Sequence, residues 1–246
     1  MYEWPILLGV LGLVAVASAV QAHAGFGFAL LVVPLTTAMI GPKETVLLVT
    51  LLALAMNAVQ SIRLRQFVQR GAAGGMIAGS FAGMPVGLAV LLAVEPAVLK
   101  AGAAIAVLVA TALLARGLTI PSNGTKSDIT AGIVSGVLNT STGINGPPIA
   151  IYLHNRMAPP QFRGTIAVFF LFSAVGAVIL LTTASAVDGR SVRTAFVGVP
   201  VIFVASAYGN ILFARTNAEQ FRRVTLAILV LSGCTAFGLA VADLLG

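Results

Sequence analysis

Apolar runs about twenty residues long, with charges confined between them, leave this chain few folds to choose from. Hydrophobic residues fill 59% of the 246 positions and charged residues only 9%. A soluble domain carries about 25% charged residues, so no soluble surface can be built here. The chain reads as an all-α integral membrane protein whose surroundings are a lipid bilayer. The net charge of +7 is then a bias of the loops and an attraction to lipid headgroups. No basic segment is long enough to line a groove, which excludes nucleic acid as a partner. The single cysteine, Cys234, lies in an apolar run and is expected as a packed small residue. The N-terminal stretch resembles a signal peptide in hydropathy, but it holds Glu3 and no basic residue, which argues for a retained segment.

Six apolar segments are long enough to cross as helices: 45–62, 72–93, 97–115, 164–186, 194–214 and 224–245. Two regions differ. Residues 5–41 are interrupted by Gly25-Phe26-Gly27, and residues 129–158 by a polar, Gly/Pro-rich stretch from Asn139 to Pro148. Asp128 to Ala158 is too short for two full spans, so two half-helices joined by a break are expected. Such backbone survives at membrane depth only where protein or a water-filled cavity satisfies it. The loop charges agree. Loops 63–70, 116–128, 154–163 and 215–223 are net positive, whereas 41–44 and 94–100 are neutral. The positive loops belong in the cytoplasm, so the chain enters near Asp128 and leaves near Ala158 on the same side, as a re-entrant hairpin.

Shifting the chain by 118 positions superposes Gly25 on Gly143, Leu35 on Leu153, Met39 on Met157 and Pro42 on Pro160. Each half then reads as a broken hairpin followed by three spans. The first repeat covers 1–117 and the second 118–246, with opposite topology, which is a transporter architecture.

In such folds the half-helix N-termini aim partial positive charge and free N–H groups at an anion near the midplane. The expected site is therefore Gly25, Phe26 and Gly27 opposite Gly143, Asn145 and Gly146. Asn139, Thr140, Ser141 and Thr142 add neutral donors, and Gln21, His23 and Asn57 are further candidates. Glycine allows close backbone approach, and Pro147 suits a first helical turn. His23 is the candidate proton carrier, should transport be proton-coupled. Ser173, Ser206, Tyr208 and Asn210 are weaker candidates, and His154 and Asn155 sit at the cytoplasmic interface. Every carboxylate falls in a loop or terminus, which leaves a carboxylate proton relay or cation site without support. The hydrolase and phosphate-loop motifs are missing, so neither catalysis nor a cofactor or metal is expected. The face formed by Gly71–Gly75 with Gly79, Gly83 and Gly87 is a close-packing surface for the fold or for a homodimer.

The run Gly25-Phe26-Gly27-Phe28-Ala29-Leu30-Leu31-Val32-Val33-Pro34-Leu35 resembles the first signature of the TauE/SafE sulfite-exporter family. Gly143-Ile144-Asn145-Gly146-Pro147-Pro148 resembles its partner signature. Family members often carry glycines where Phe28 and Ala29 stand, and Phe26 is bulkier than the pattern, so the pocket is reshaped. The resemblance implies a transporter of small anionic solutes, sulfite or organosulfur anions such as sulfonates, in the bacterial cytoplasmic (inner) membrane. The anion would sit between the two hairpin tips, and one half would move against the other to alternate access. A carboxylate introduced at Gly143 is expected to abolish transport and spare folding. A passive anion channel or a permease for another small solute is the alternative.

Overall fold

The computed structural model describes residues 2–117, 124–153 and 156–214, together with 226–227, 230–231, 233–239 and 241–242. The expected span 224–245 is described only in pieces, and His154, Asn155 and the side chain of Asn210 lie outside the described residues. The described residues are helical: α1 Trp4–Ala24, α2 Phe28–Ile40, α3 Pro42–Arg63, α4 Arg70–Ala93, α5 Pro96–Ala115, α6 Thr125–Thr142, α7 Gly146–Leu153, α8 Pro159–Thr183 and α9 Gly189–Ala214. Prolines open α1, α3, α5 and α8 in their first turns, where the missing N–H costs no helical bond.

Among the described residues, six helices are long and apolar enough to cross a membrane: α1, α3, α4, α5, α8 and the 189–209 stretch of α9. This fits an all-α integral membrane protein and corrects one sequence expectation. The first arm of the N-terminal hairpin is not a half-helix: α1 has 21 residues, whereas its return arm α2 has 13. The second hairpin is equally lopsided, with 18 residues in α6 and 8 in α7.

The packing shows where the long arms end. The Tyr2 hydroxyl lies 3.0 Å from Ser191 Oγ, which also donates to the Glu44 carbonyl at 3.3 Å. The starts of α1, α3 and α9 therefore share one side. At its other end α1 meets the start of α8: Arg163 Nη2 donates to the Ala22 carbonyl at 2.6 Å. The second tip mirrors this, because a Cβ at Gly143 would sit 3.8 Å from the Cα of Val46, near the start of α3. The tips thus pass one another instead of meeting end to end.

Lipid is as apolar as leucine, so helices here associate by close contact and not by hydrophobic exclusion. The most extensive pairing is α4 with α6, and α1 with α9 is second. Glycine makes the first possible. A Cβ at Gly79, Gly83 or Gly87 would strike the carbonyl of Ile129, Ile133 or Val137, and one at Gly132 or Gly136 would strike that of Met76 or Ser80. The face read from the sequence is thus used inside the subunit, and at these positions it is closed to a dimer partner. Cys234 is exposed, not packed as expected.

Candidate functional site

Both breaks are built the same way. Helix α1 ends on Gly25 in the left-handed region (φ 86°), whose N–H donates to the Gln21 carbonyl. Helix α6 ends on Gly143 (φ 80°), whose N–H donates to the Asn139 carbonyl. An L side chain is strained at such φ values. In each case the residue four positions before the glycine carries a carboxamide that reaches a central span. Gln21 Nε2 donates to Asn57 Oδ1 at 3.1 Å, and Asn139 Nδ2 donates to Ser173 Oγ at 3.0 Å. Gln21 Oε1 also accepts the Phe28 N–H at 3.2 Å, capping the start of α2. Ser135 Oγ holds the second bend by donating to the Asn145 carbonyl at 2.7 Å.

Between the breaks lies a cavity of about 20 Å³, room for roughly one water. Gln21, Gly27, Asn57, Asn139, Gly143, Asn145 and Gly146 line it, with Phe28, Ala29, Leu30, Val49, Thr50, Ala53, Phe170 and Ala174. No charged side chain is among them. Polarity comes from carboxamides, the Thr50 hydroxyl and the N-terminal turns of α2 and α7. Those first-turn N–H groups have no intrahelical acceptor, and the helix dipole adds partial positive charge. Such an arrangement suits a small anion held by neutral donors. An anion of four heavy atoms does not fit 20 Å³, so binding requires the walls to part. A groove of about 830 Å³ between α5, α6 and α7 is larger, but its walls are overwhelmingly apolar. It lacks the convergent polar groups of a solute site.

Seven of the thirteen candidate residues therefore line one cavity, and six do not. Gly25 is the αL cap of α1, and Phe26 packs edge-on against Phe162 with ring centroids 6.1 Å apart. His23 is half-buried in the last turn of α1. Thr140 donates to the Met84 carbonyl at 2.7 Å, Ser141 to Val137 and Thr142 to Leu138. Among the weaker candidates, Ser173 receives Asn139, Ser206 lines a separate cavity and Tyr208 is exposed.

Two charged residues are not where the sequence placed them. Asp128 lies in the first turn of α6 and is buried; its Oδ1 accepts from Tyr152 Oη at 2.6 Å and Arg156 Nη1 at 3.3 Å. Arg163 lies within α8 and runs beneath the first tip, where a Cβ on Gly25 would sit 2.9 Å from its Cγ. In the sequence Asp128 follows the charged stretch that begins at Arg116, and Arg163 stands just after Pro159 and Pro160, so both read as loop charges.

Residues 10–236 match the family described as sulfite exporter TauE/SafE. The chain belongs to the TauE/SafE family. It is a multi-pass membrane transporter of that family. It is 23% identical over 235 residues to the probable sulfite/organosulfonate exporter TauE of Cupriavidus necator, with 91% of each chain covered. No solved structure matches the chain. The two TauE/SafE signatures read from the sequence coincide with the two breaks, Gly25–Gly27 and Gly143–Gly146.

Proposed function

We propose that this TauE/SafE protein carries a small sulfur-containing anion, sulfite or a short sulfonate, across the bacterial cytoplasmic membrane by alternating access. The observation that carries this reading is the small cavity between two identically capped breaks, walled by neutral donors. A cavity of about 20 Å³, which must widen before an anion enters, suits a carrier better than a passive channel. The relative from Cupriavidus necator is named as a sulfite/organosulfonate exporter, which points to the same solute class. The residues supply binding and no reactive group, so the reading is of a transporter and not an enzyme, with no cofactor.

An inverted repeat underlies the reading. If α1–α5 correspond to α6 onward, the pairing of α4 with α6 corresponds to that of α9 with α1, and α4 with α8 to α9 with α3. The two strongest contacts are thus symmetry mates. Both also join elements of different halves, so the moving bodies are cross-repeat units, each hairpin travelling with a span of the other half.

Flux into proteoliposomes containing only this chain tests the proposal, with sulfite, thiosulfate, taurine and short sulfonates offered in turn. Saturable flux of a sulfur oxyanion supports it, and its response to a pH gradient tests coupling through His23. Unsaturable flux indicates a channel, and no flux of any sulfur anion by folded protein overturns the assignment. Gly143 is a poor place for an added carboxylate, because its φ of 80° strains any side chain. Asn145→Asp is better: it is isosteric, faces the cavity, and should abolish anion flux by charge repulsion.

A further inference from the structure

A second cavity, of about 110 Å³, opens between α3, α8, α9 and the last turn of α1. Its polar wall is Gln60, Arg63, Arg163 and Ser206. Three side-chain atoms there, Arg163 Nε, Gln60 Oε1 and Ser206 Oγ, are buried and have no hydrogen-bond partner among the described residues. Buried polar atoms left unpaired cost free energy, and three converging on one cavity indicate a ligand. Arg163 is pre-positioned. Its Nη2 is anchored on the Ala22 carbonyl at 2.6 Å, which leaves the buried Nε–H without a partner. A planar guanidinium matches two oxygens of an oxyanion. Arg63 adds a second positive charge at the rim, and the Gln60 carboxamide can turn its NH2 inward.

We propose that this cavity is a second oxyanion site, at the cytoplasmic mouth of the protein, which holds the transported sulfur anion before it reaches the cavity between the breaks. The proposal rests on the anion-transport reading above. The volume fits: at about 30 Å³ per water, 110 Å³ holds several non-hydrogen atoms. So does the position, because Arg163 touches the first tip at Gly25 and loops rich in Arg flank it on the side that charge places in the cytoplasm. The opposite tip differs. Gly143 is faced by Val33, Val46 and Val49, with no charged side chain in the place Arg163 holds against Gly25. The two tips are therefore unequal: among the described residues a guanidinium, that of Arg163, lies against Gly25, and valines lie against Gly143.

Equilibrium binding of sulfite and methanesulfonate to the purified full chain tests this, in an Asn145→Asp background where the site between the breaks repels anions. One site should remain there, and Arg163→Gln added to it should weaken binding about tenfold or more, the scale of a lost charge-assisted hydrogen bond. Gln60→Ala and Ser206→Ala, which leave the Arg163–Ala22 bond alone, should each weaken binding by about threefold. In otherwise unmodified protein, Arg163→Gln should raise KM for solute presented on the cytoplasmic side and leave KM from the other side unchanged. No binding in Asn145→Asp, undiminished binding in the double variant, or an equal KM change from both sides overturns the second site. Failure of the first site would look different, as unchanged anion flux in Asn145→Asp.

Discussion

Gln21 holds Asn57 across 3.1 Å while the other end of its carboxamide caps Phe28 N–H at 3.2 Å. One side chain thus sets both the position of the first break and its distance from the central span α3. Gln21→Leu leaves Asn57 Oδ1 and the Phe28 N–H unpaired in a buried place, at about 1–3 kcal/mol each. The expected result is loss of anion flux with a clear fall in unfolding free energy. Asn57→Leu should do much the same. The double variant should cost less than the sum, by roughly 1 kcal/mol or more of coupling, which a double-mutant cycle on purified protein measures.

The Asp128–Tyr152–Arg156 cluster ties the start of α6 to the end of α7 and so closes the base of the second hairpin. The Arg156 guanidinium also lies 4.2 Å from the centre of the Tyr152 ring. Tyr152→Phe removes the 2.6 Å bond to Asp128 and should cost about 1 kcal/mol. Asp128→Ala should cost more, because it strips a half-buried guanidinium of its counter-charge. Denaturant unfolding of the two variants side by side, in the same detergent and salt, decides the order.

Gly83→Val drives a side chain into the Ile133 carbonyl, whereas Gly12 has nothing within 4 Å of a Cβ. The first substitution should sharply reduce the monodisperse protein recovered after extraction, since overpacking commonly costs about 1–3 kcal/mol and backbone cannot yield as a side chain does. Gly12→Ala should be neutral or slightly stabilising, because alanine is the better helix former. Size-exclusion profiles at matched expression distinguish them; equal recovery would show that α4 and α6 can separate without penalty.

Asp188 precedes α9 and accepts the Ser191 N–H at 2.9 Å. Burial alone would raise its pKa, but hydrogen bonds from Ser191 and Arg190 and the charge of Arg190 outweigh that and hold the carboxyl below its ordinary value. A depressed folded pKa stabilises the fold above the ordinary carboxylate range, and the benefit is lost as pH falls through the folded value. Wild-type protein should therefore lose melting temperature below about pH 4 to a greater extent than Asp188→Asn does. Parallel acid titrations of Tm would show it.

Much of the fold was legible because a bilayer enforces a narrow grammar. Length and charge located α3, α4, α5, α8 and α9 to within a few residues, and the glycine breaks marked both hairpin tips. The lengths of the hairpin arms were not legible. Whether Trp4–Ala24 stops halfway or runs on depends on packing against α9, which periodicity in α1 does not reveal. The hydroxyl run Thr140-Ser141-Thr142 read as a ligand set, yet Ser141 and Thr142 turn back to carbonyls of their own helix and Thr140 bridges to Met84 of α4. Gln21 and Asn139 carried a real signal: both stand four residues before a break glycine. Arg163 carried none, because an arginine beside a proline turn at a span end looks like any cytoplasmic charge. Only the geometry of Ala22 and Gly25 brings it inward.

The partnership of α1 with α9 has a bearing on biosynthesis. Tyr2 and Ser191 touch across 189 positions of sequence, so α1 is made well before the helix it packs against most extensively, α9. Until then its glycine break and the Gln21 carboxamide lie in the membrane with Asn57 and local neighbours as partners. Long-range contacts of this kind slow folding and expose intermediates. A chain truncated before α9 should therefore be handed to quality control, whereas two fragments divided between α5 and α6 and made together have every partner within reach.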